Sequence, residues 1–181
     1  MEKIGLYGGT FGPPHLGHVY AAKTFLRELA PDRLLIMPAG IPPHKEKAAG
    51  DTTDYEIRKP GKSYTVETLE HLAAPGREIT MLCGTDMFLT LDHWHRAPDI
   101  FALCTVACLA RENGMETAIR ETAERYRDTY HAKTALLTGE PLILSSSEIR
   151  EKLRAGADMT PYLPPEVAEI CRREKLYGIE A

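Results

Sequence analysis

The feature that most constrains the fold is a glycine-rich turn that separates a short apolar run from a helical pattern. Residues 3–8 form the apolar run, which ends in glycines, and a proline-rich turn follows it. The helical periodicity after the turn is carried by Leu16, Val19, Tyr20, Lys23 and Leu26. Residues 33–37 then have the composition of a second buried strand, closed by Pro38. A strand, a helix and a strand in this order predict parallel pairing through a right-handed crossover.

The rest of the chain keeps alternating between helical and strand patterns. After a loop rich in proline, glycine and lysine at 39–51, the predicted strands are 53–58, 78–83, 104–110 and the PLIL segment at 141–144. The predicted helices are 64–74, entered through Ser63, a short helical region at 87–103, a polar helix at 115–131, and two C-terminal helices at 147–155 and 165–175. This alternation is typical of a doubly wound, mostly parallel α/β sheet of the Rossmann-like kind. A length of 181 residues predicts a single domain over residues 1–181.

Composition excludes several classes of partner. The formal net charge is -4 and the sequence pI is about 6.0, which argues against a broad basic surface for nucleic acid or for an anionic membrane. Recognition of phosphate must therefore be local. The N-terminus lacks the pattern of a signal peptide, and no uncharged apolar run reaches the roughly 18 residues of a membrane span. We expect a cytoplasmic protein, for which a homo-oligomer remains open.

The four cysteines are scattered along the chain. Cys83, Cys104, Cys108 and Cys171 lack the paired spacing of a zinc site or a redox motif. Cys104 and Cys108 would meet on a helix but not on the strand that their segment resembles. We predict four buried thiols and no metal site.

The strongest chemical signal is the segment GGTFGPPHLGH at residues 8–18, where the first strand turns into the first helix. In this fold class, ligands bind outside the carboxyl ends of the strands. Gly8 and Gly9 allow the backbone to approach a phosphate closely, and the helix N-terminus offers unpaired N–H groups. His15 and His18 can lie on one helix face and point at the same phosphate, with Gly17 leaving space between them. The alternative is that a histidine merely caps the turn; zinc is disfavoured because no third ligand has convincing spacing.

This segment resembles the HxGH signature of the nucleotidyltransferase superfamily, whose members transfer a nucleotidyl group and release pyrophosphate. The resemblance implies catalytic roles for His15 and His18. It also implies that ATP is bound by Gly8, Gly9, Thr10, Phe11 and Gly17, with Thr10 shared with the acceptor nucleotide. Donors placed around the phosphates would stabilise the charge on the pentacovalent phosphorus and on the leaving pyrophosphate, without a covalent intermediate.

A second phosphate motif is predicted in LILSSSEIREKL near the C-terminus, where we expect a buried strand to meet a helix. Ser145 and Glu148 have the spacing of a capping box, so a serine could simply cap that helix. The same run also supplies hydroxyls, helix N-terminal amides and a guanidinium. It resembles the ISSTxIR motif of the superfamily, with serine in place of threonine at residue 147. The resemblance implies that ATP phosphates are held by Ser145, Ser146, Ser147 and Arg150.

The middle of the chain resembles one branch of the superfamily. The segments SYTVETL at 63–69 and GTDMFLTLDHWH at 84–95 resemble the bacterial nicotinate-nucleotide adenylyltransferase family. The resemblance implies that Thr65 and the backbone around Trp94 and His95 receive the pyridine carboxylate, that Trp94 stacks on the ring, and that Asp86 binds on the adenosine side. An electron-poor ring suits an aromatic face, and a carboxylate needs donors. The alternatives are an ordinary core aromatic for Trp94 and a helix N-cap for Asp86.

Two further basic residues, Lys45 and Arg111, stand where that family contacts the phosphate of the mononucleotide. The chain departs from the family between Lys45 and Ser63, where it is shorter by most of a helix, and at Gly12, where an aspartate is frequent. The implied reaction is adenylyl transfer from ATP, bound with Mg²⁺, to nicotinate mononucleotide. The alternatives are a nicotinamide-mononucleotide, phosphopantetheine or cytidylyl transferase and a noncatalytic nucleotide-binding module. His15 argues against the pantetheine enzymes, in which the first histidine is commonly threonine.

Overall fold

The sheet has five strands, and every pair of neighbours is parallel. The computed structural model describes residues 1–39, 62–110, 114–139, 144–159 and 161–178. The strands are β1 (Glu2–Gly9), β2 (Arg33–Pro38), β3 (Arg77–Gly84), β4 (Thr105–Leu109) and β5 (Thr134–Leu137). They lie in the order β2-β1-β3-β4-β5. The predicted parallel pairing of the first two strands and the predicted doubly wound class are both confirmed.

Helices connect the strands and continue after the last one. They are α1 (Leu16–Leu29), α2 (Thr65–Leu72), α3 (Thr85–Leu89), α4 (Ala97–Leu103), α5 (Glu116–Tyr130), α6 (Ser146–Arg154) and α7 (Pro165–Arg173). Short 3₁₀ turns occupy Leu91–His93 and Leu176–Gly178. The predicted loop at 39–51 and strand at 53–58 lie outside the described residues except for Ala39.

Side chains alternate across the sheet because successive residues of a strand point to opposite faces. Leu6, Met81 and Val106 join the larger core cluster, which α2, α3, α4 and α5 cover. Their sequence neighbours Tyr7 and Leu82 join the smaller cluster on the other face, beneath α1. Both faces of the sheet are therefore buried, as expected of a parallel sheet.

Helix α1 packs close to the sheet at Gly5 of β1. A Cβ atom at Gly5 would lie 2.5 Å from Cε1 of Phe25, so only glycine admits that ring. The helix buries Thr24 and Phe25, while Leu16 and Leu26 stay largely exposed. The hydrophobic periodicity of the sequence predicted the helix but not the face that it buries. Because Gly5 lets α1 approach β1 at Phe25, the buried face is the one that carries Phe25.

Three local predictions need correction. The fifth strand is Thr134–Leu137, which we did not predict; of the PLIL segment only Leu144 is described, and it is not in a strand. The helical region at 87–103 is three pieces: the first break is at Thr90, which leaves the helical conformation, and the second is at Trp94 and Arg96, where the backbone is extended and then left-handed. Helix α2 has Tyr64, not Ser63, as its N-cap.

The four cysteines are buried and carry free thiols. Cys104 precedes β4 and Cys108 lies within it, so the strand alternative for this pair is confirmed. Within the described part of the chain, no helix is long and apolar enough to cross a membrane.

The strand order places a topological switch point at β1. The chain leaves β1 for β2 on one side, whereas β3, β4 and β5 follow on the other. Connections on the two sides of such a point diverge and open a crevice outside the carboxyl ends of the strands. The glycine-rich turn after β1 lies at this crevice.

Candidate active site

The two histidines of the HLGH segment stack against each other at the start of α1. Their ring centroids are 3.7 Å apart, with the planes inclined by 34°. His15 is the N-cap residue, with extended backbone and only 4% of its surface exposed. Nδ1 of His18 accepts the backbone N–H of His15 at 3.2 Å. A neutral imidazole whose Nδ1 accepts carries its hydrogen on Nε2, so that the neutral His18 ring presents a donor.

The close approach of His15 requires the glycine between the histidines. A Cβ atom at Gly17 would lie 2.9 Å from Nδ1 of His15 and 3.5 Å from Cβ of Leu144. Any larger residue must displace the imidazole. The sequence suggested that Gly17 leaves open space between the histidines. In the structure, the imidazole of His15 occupies that space.

Phe11 forms a wall of the same turn. Its φ of 42° lies in the left-handed region, which is strained for a bulky side chain and typical of functional loops. The Phe11 ring lies edge-on to that of His18, with centroids 4.8 Å apart. A Cβ atom at Gly9 would come within 3.2 Å of the Phe11 ring. Half-buried Thr10 lies between these two residues.

The start of α6 meets the turn that precedes α1. Ser146 donates its hydroxyl hydrogen to the Pro13 carbonyl at 3.2 Å, and Nη1 of Arg150 donates to the Gly12 carbonyl at 2.6 Å. Nη2 of Arg150 donates to the Ser147 hydroxyl at 3.0 Å. The two predicted phosphate motifs, whose contacting residues are 133 and 138 positions apart in sequence, therefore share one loop in space.

The capping alternative is confirmed for Ser145. It is the N-cap of α6, and its hydroxyl oxygen accepts the backbone N–H of Glu148 at 3.1 Å. The same hydroxyl lies 3.3 Å from the Glu148 carboxylate. An ATP contact by Ser145 stays a prediction.

Two clefts open at the carboxyl edge of the sheet, one on each face. The first, of about 400 Å³ and open to solvent, has His15, Gly17 and Tyr20 in its wall. The second, of about 330 Å³, has Gly8, Thr65 and Trp94 in its wall. Leu82 and Cys83, near the end of β3, line both clefts. The clefts therefore adjoin at the switch point.

Trp94 occupies a position that combines the two roles considered for it. It is half-buried and packs against the larger core cluster, yet it also lines the second cleft with Thr65. The ring of exposed His95 lies 4.4 Å from that of Tyr64, the residue before Thr65. The segments at 63–69 and 84–95 are thus brought together, as the sequence predicted.

Of the three other predicted residues, only Asp86 is described. Asp86 is exposed in the first turn of α3, and the N-cap of that helix is Gly84, so the N-cap alternative for Asp86 is wrong. Lys45 and Arg111 lie outside the described residues.

Comparison with known proteins shows the family. A family described as cytidylyltransferase-like matches residues 6–152. A probable nicotinate-nucleotide adenylyltransferase of Clostridium botulinum is 30% identical over 200 residues, covering 99% of this chain and 100% of the relative. One of Trichlorobacter lovleyi is 33% identical over 211 residues, covering 97% of this chain and 99% of the relative. This chain belongs to the nicotinate-nucleotide adenylyltransferase family.

Solved structures share the fold. The nicotinic acid mononucleotide adenylyltransferase of Plasmodium falciparum complexed with NaAD superposes with a TM-score of 0.77 at 15% identity, covering 99% of each chain. The same protein complexed with APC gives a TM-score of 0.75, also at 15% identity and 99% of each chain. The Rossmann-like fold predicted from the sequence is that of nicotinate-nucleotide adenylyltransferases.

Both bacterial adenylyltransferase alignments run over more residues, 200 and 211, than the 181 of this chain. The relatives therefore carry residues that have no counterpart here. A chain shorter than its family is what we predicted; the assignment of the missing part to the region between Lys45 and Ser63 stays a prediction.

Sequence reasoning missed a polar network beside the second cleft. Asp92 pairs with Arg125 of α5, and the hydroxyl of Tyr126 lies 3.1 Å from the Asp92 carboxylate. Burial acts to raise the pKa of Asp92, but the hydrogen bonds from Arg125 and Tyr126 outweigh it and hold the pKa below its ordinary value. More than thirty residues separate these partners, so no local pattern could have indicated the network.

The described residues contain no group of three or more side chains suited to hold a metal ion. The groups that we predict to bind phosphate are backbone N–H groups, hydroxyls, imidazoles and Arg150.

Proposed function

We propose that this chain transfers the adenylyl group of ATP to nicotinate mononucleotide, giving nicotinate adenine dinucleotide and pyrophosphate. Membership of the nicotinate-nucleotide adenylyltransferase family supports the reaction. The observation that carries the proposal is the pair of adjoining clefts at the switch point, one walled by His15 and Gly17, the other by Thr65 and Trp94. Such a layout holds two nucleotides side by side.

In this proposal, ATP lies along the start of α1 with its phosphates between the two helix starts. Each helix start carries a partial positive charge that favours an anion, although the N–H groups of Leu16 and His18 in α1 and of Glu148 in α6 already donate within the protein. Arg150, fixed by Gly12 and Ser147, adds a permanent positive charge. These donors would stabilise the charge that develops on the pyrophosphate as it leaves.

The acceptor lies in the second cleft, with its pyridine ring on Trp94 and its carboxylate toward Thr65 and the backbone near His95. Its phosphate would then face the α-phosphorus of ATP across the end of β1. Alignment supplies most of the rate, because oriented reactants reach effective molarities of about 10⁵ to 10⁸ M. His15 and His18 would hold the phosphates in that alignment.

We also propose the form in which ATP binds, the cellular compartment and the domain organisation. ATP enters as its complex with a divalent cation, which we take to be Mg²⁺ bound by the triphosphate itself. We further propose a cytoplasmic enzyme folded as one domain over residues 1–181.

The test is pyrophosphate release from ATP with each of three acceptors: nicotinate mononucleotide, nicotinamide mononucleotide and phosphopantetheine. We expect turnover with nicotinate mononucleotide and a kcat/KM at least about tenfold lower with nicotinamide mononucleotide. The protein groups that donate hydrogen bonds to the carboxylate would lose a charged acceptor. Equal or better use of either other acceptor would overturn the choice of substrate.

A second measurement separates an enzyme from a noncatalytic binding module. A folded chain that binds ATP and nicotinate mononucleotide but releases no pyrophosphate would contradict the proposed activity. Binding is followed by calorimetry on the same preparation, so that loss of activity is not confused with loss of fold.

A further inference from the structure

We propose that Asp92, Arg125 and Tyr126 form a positioning network that fixes the Trp94–His95 turn and thereby sets the affinity for the acceptor mononucleotide. This inference rests on the proposed function, because it takes the Trp94 cleft as the acceptor site. None of the three residues is part of the HxGH or ISSTxIR motifs.

Tyr126 anchors the network in the core. Its side chain is fully buried, and its ring packs against those of Phe88 and Phe101 at centroid distances of 5.5 and 4.7 Å. The hydroxyl shares its one hydrogen between the Phe88 carbonyl at 2.7 Å and the Asp92 carboxylate at 3.1 Å, and it accepts the backbone N–H of Asp92 at 3.4 Å. The phenol therefore ties the end of α3 and the beginning of the following 3₁₀ turn to α5.

Asp92 extends the anchor toward the surface. Its carboxylate receives Nη1 of Arg125, and the Arg125 guanidinium lies 4.8 Å from the centre of the Tyr126 ring. The Asp92 side chain is only 11% exposed, so solvent screens this pair less than an ordinary surface pair. Two residues later the backbone reaches Trp94, whose N–H donates to the Leu91 carbonyl at 3.0 Å.

The far side of the turn is held by a second set of ion pairs. Arg96 has a left-handed backbone, with φ of 55°. Its guanidinium donates to Glu70 of α2 at 2.7 Å and to Asp99 of α4 at 2.6 Å. Trp94 and His95 thus stand between two polar anchors, one buried and one exposed.

Such anchoring is needed because the turn cannot hold its own shape. The 3₁₀ piece before Trp94 is three residues long, and one turn of helix is unstable alone. A stacking residue contributes to binding only when its ring is held in the stacking position before the ligand arrives. The network therefore acts on acceptor binding through Trp94 and touches neither substrate.

The test compares Tyr126→Phe and Asp92→Asn with matched controls on α5. Tyr130→Phe removes a hydroxyl from a ring that stacks on Phe101, one turn further along the helix, and Asp128→Asn removes an exposed carboxylate. Trp94 is the only tryptophan in the chain, so intrinsic fluorescence reports this turn directly. Binding of nicotinate mononucleotide is followed by quenching of that fluorescence, and KM and kcat are measured for both substrates.

We expect each of the two network variants to raise the Kd and the KM for nicotinate mononucleotide by about tenfold, the order of one lost hydrogen bond to a charged group. The KM for ATP should stay within about twofold, and the two control variants should match wild type. A network that served only stability would lower Tm while leaving the Kd for the mononucleotide unchanged, and that result would overturn the inference.

The two proposals fail differently. If wild type binds the mononucleotide but shows no turnover, the proposed activity is wrong, and the Kd of the variants still tests the positioning role. If the mononucleotide leaves the Trp94 fluorescence unaltered, the assignment of the acceptor cleft is wrong and the positioning role fails with it. If wild type binds and turns over normally but the variants retain its Kd, the positioning role alone is wrong.

Discussion

The two ring nitrogens of His18, at the start of α1, have different roles. Nδ1 accepts the backbone N–H of His15, which is a structural capping role. Nε2 carries the hydrogen of the neutral ring and is the nitrogen that we expect to meet a phosphate. The two interpretations considered from sequence, a capping residue and a catalytic one, are therefore compatible in a single side chain.

We predict that His18→Ala lowers turnover by at least about tenfold. This variant also leaves the His15 N–H without its acceptor, so its free energy of unfolding should fall by about 1–3 kcal/mol if that N–H stays buried. His18→Asn separates the effects, because the amide oxygen can take the place of Nδ1 whereas nothing replaces Nε2. Steady-state kinetics and thermal unfolding of both variants provide the measurement, and wild-type turnover in a folded His18→Asn enzyme would refute the catalytic role.

At the scale of elements, the proposed phosphate site is a junction of two helix starts. The loop at Gly12 and Pro13 offers its carbonyls to the side chains of α6, and α1 begins immediately after it. Arg150 thereby has a structural partner as well as a predicted ligand. The network of Asp92, Arg125 and Tyr126 is also a junction of two elements, because it joins the turn before Trp94 to α5 beside the second cleft.

We predict that Arg150→Gln raises the KM for ATP by about tenfold or more, because a charge-assisted contact to phosphate is lost. The KM for nicotinate mononucleotide should change much less. Arg154→Gln is the matched control, since Arg154 lies one turn along the same helix and donates to the Tyr177 carbonyl instead of to the loop. Equal effects of the two variants on ATP would show that only the stability of α6 was at stake.

A pH dependence follows from Tyr126. Burial raises the pKa of Tyr126 from 10.0 to about 12. The unfolded chain loses this proton at lower pH than the folded one, so the stabilising contribution is present below about pH 10 and is lost as the pH rises toward 12. The decrease should be on the order of 1–2 kcal/mol.

Denaturant unfolding of wild type and of Tyr126→Phe at about pH 9 and about pH 11 measures this contribution. Wild type should lose more unfolding free energy over that interval than the variant. An identical loss in both proteins would mean that Tyr126 titrates normally.

At the scale of the whole molecule, a parallel sheet covered on both faces buries three of the four thiols, and Cys171 is buried on α7. Cys83, Cys104 and Cys108 pack in the larger core cluster, and burial raises the pKa of Cys104 to about 12. Burial also raises the pKa of Cys171. A buried thiol without thiolate character is unreactive.

We predict that an aromatic disulfide reagent at neutral pH labels all four cysteines only as fast as the protein unfolds. In denaturant the four thiols should react at once, which provides the control. A thiol that reacts in the native protein at the rate of a free cysteine would show that one of these sites opens without global unfolding.

Much of this architecture could be predicted from the sequence, because its signals are local. Hydrophobic periodicity and glycine-rich turns predicted four of the five strands in the described residues and the helices between them. The HLGH and SSSEIR segments indicated two phosphate-binding helix starts. β5 was missed because a strand of four residues is too short to show a clear periodicity. One helical region was broken by the backbone at Thr90, Trp94 and Arg96.

By itself, then, the sequence determined the fold class, the family and the segments that carry the chemistry, since each depends on residues that are neighbours along the chain. Only the tertiary structure decided that Ser146 and Arg150 reach the turn before α1, that Gly17 is required by the ring of His15, and that Tyr126 and Asp92 hold the turn at Trp94. These are contacts between residues packed by different elements, and a hydrogen bond or a close van der Waals approach exists only once the sheet and its helices have placed both partners.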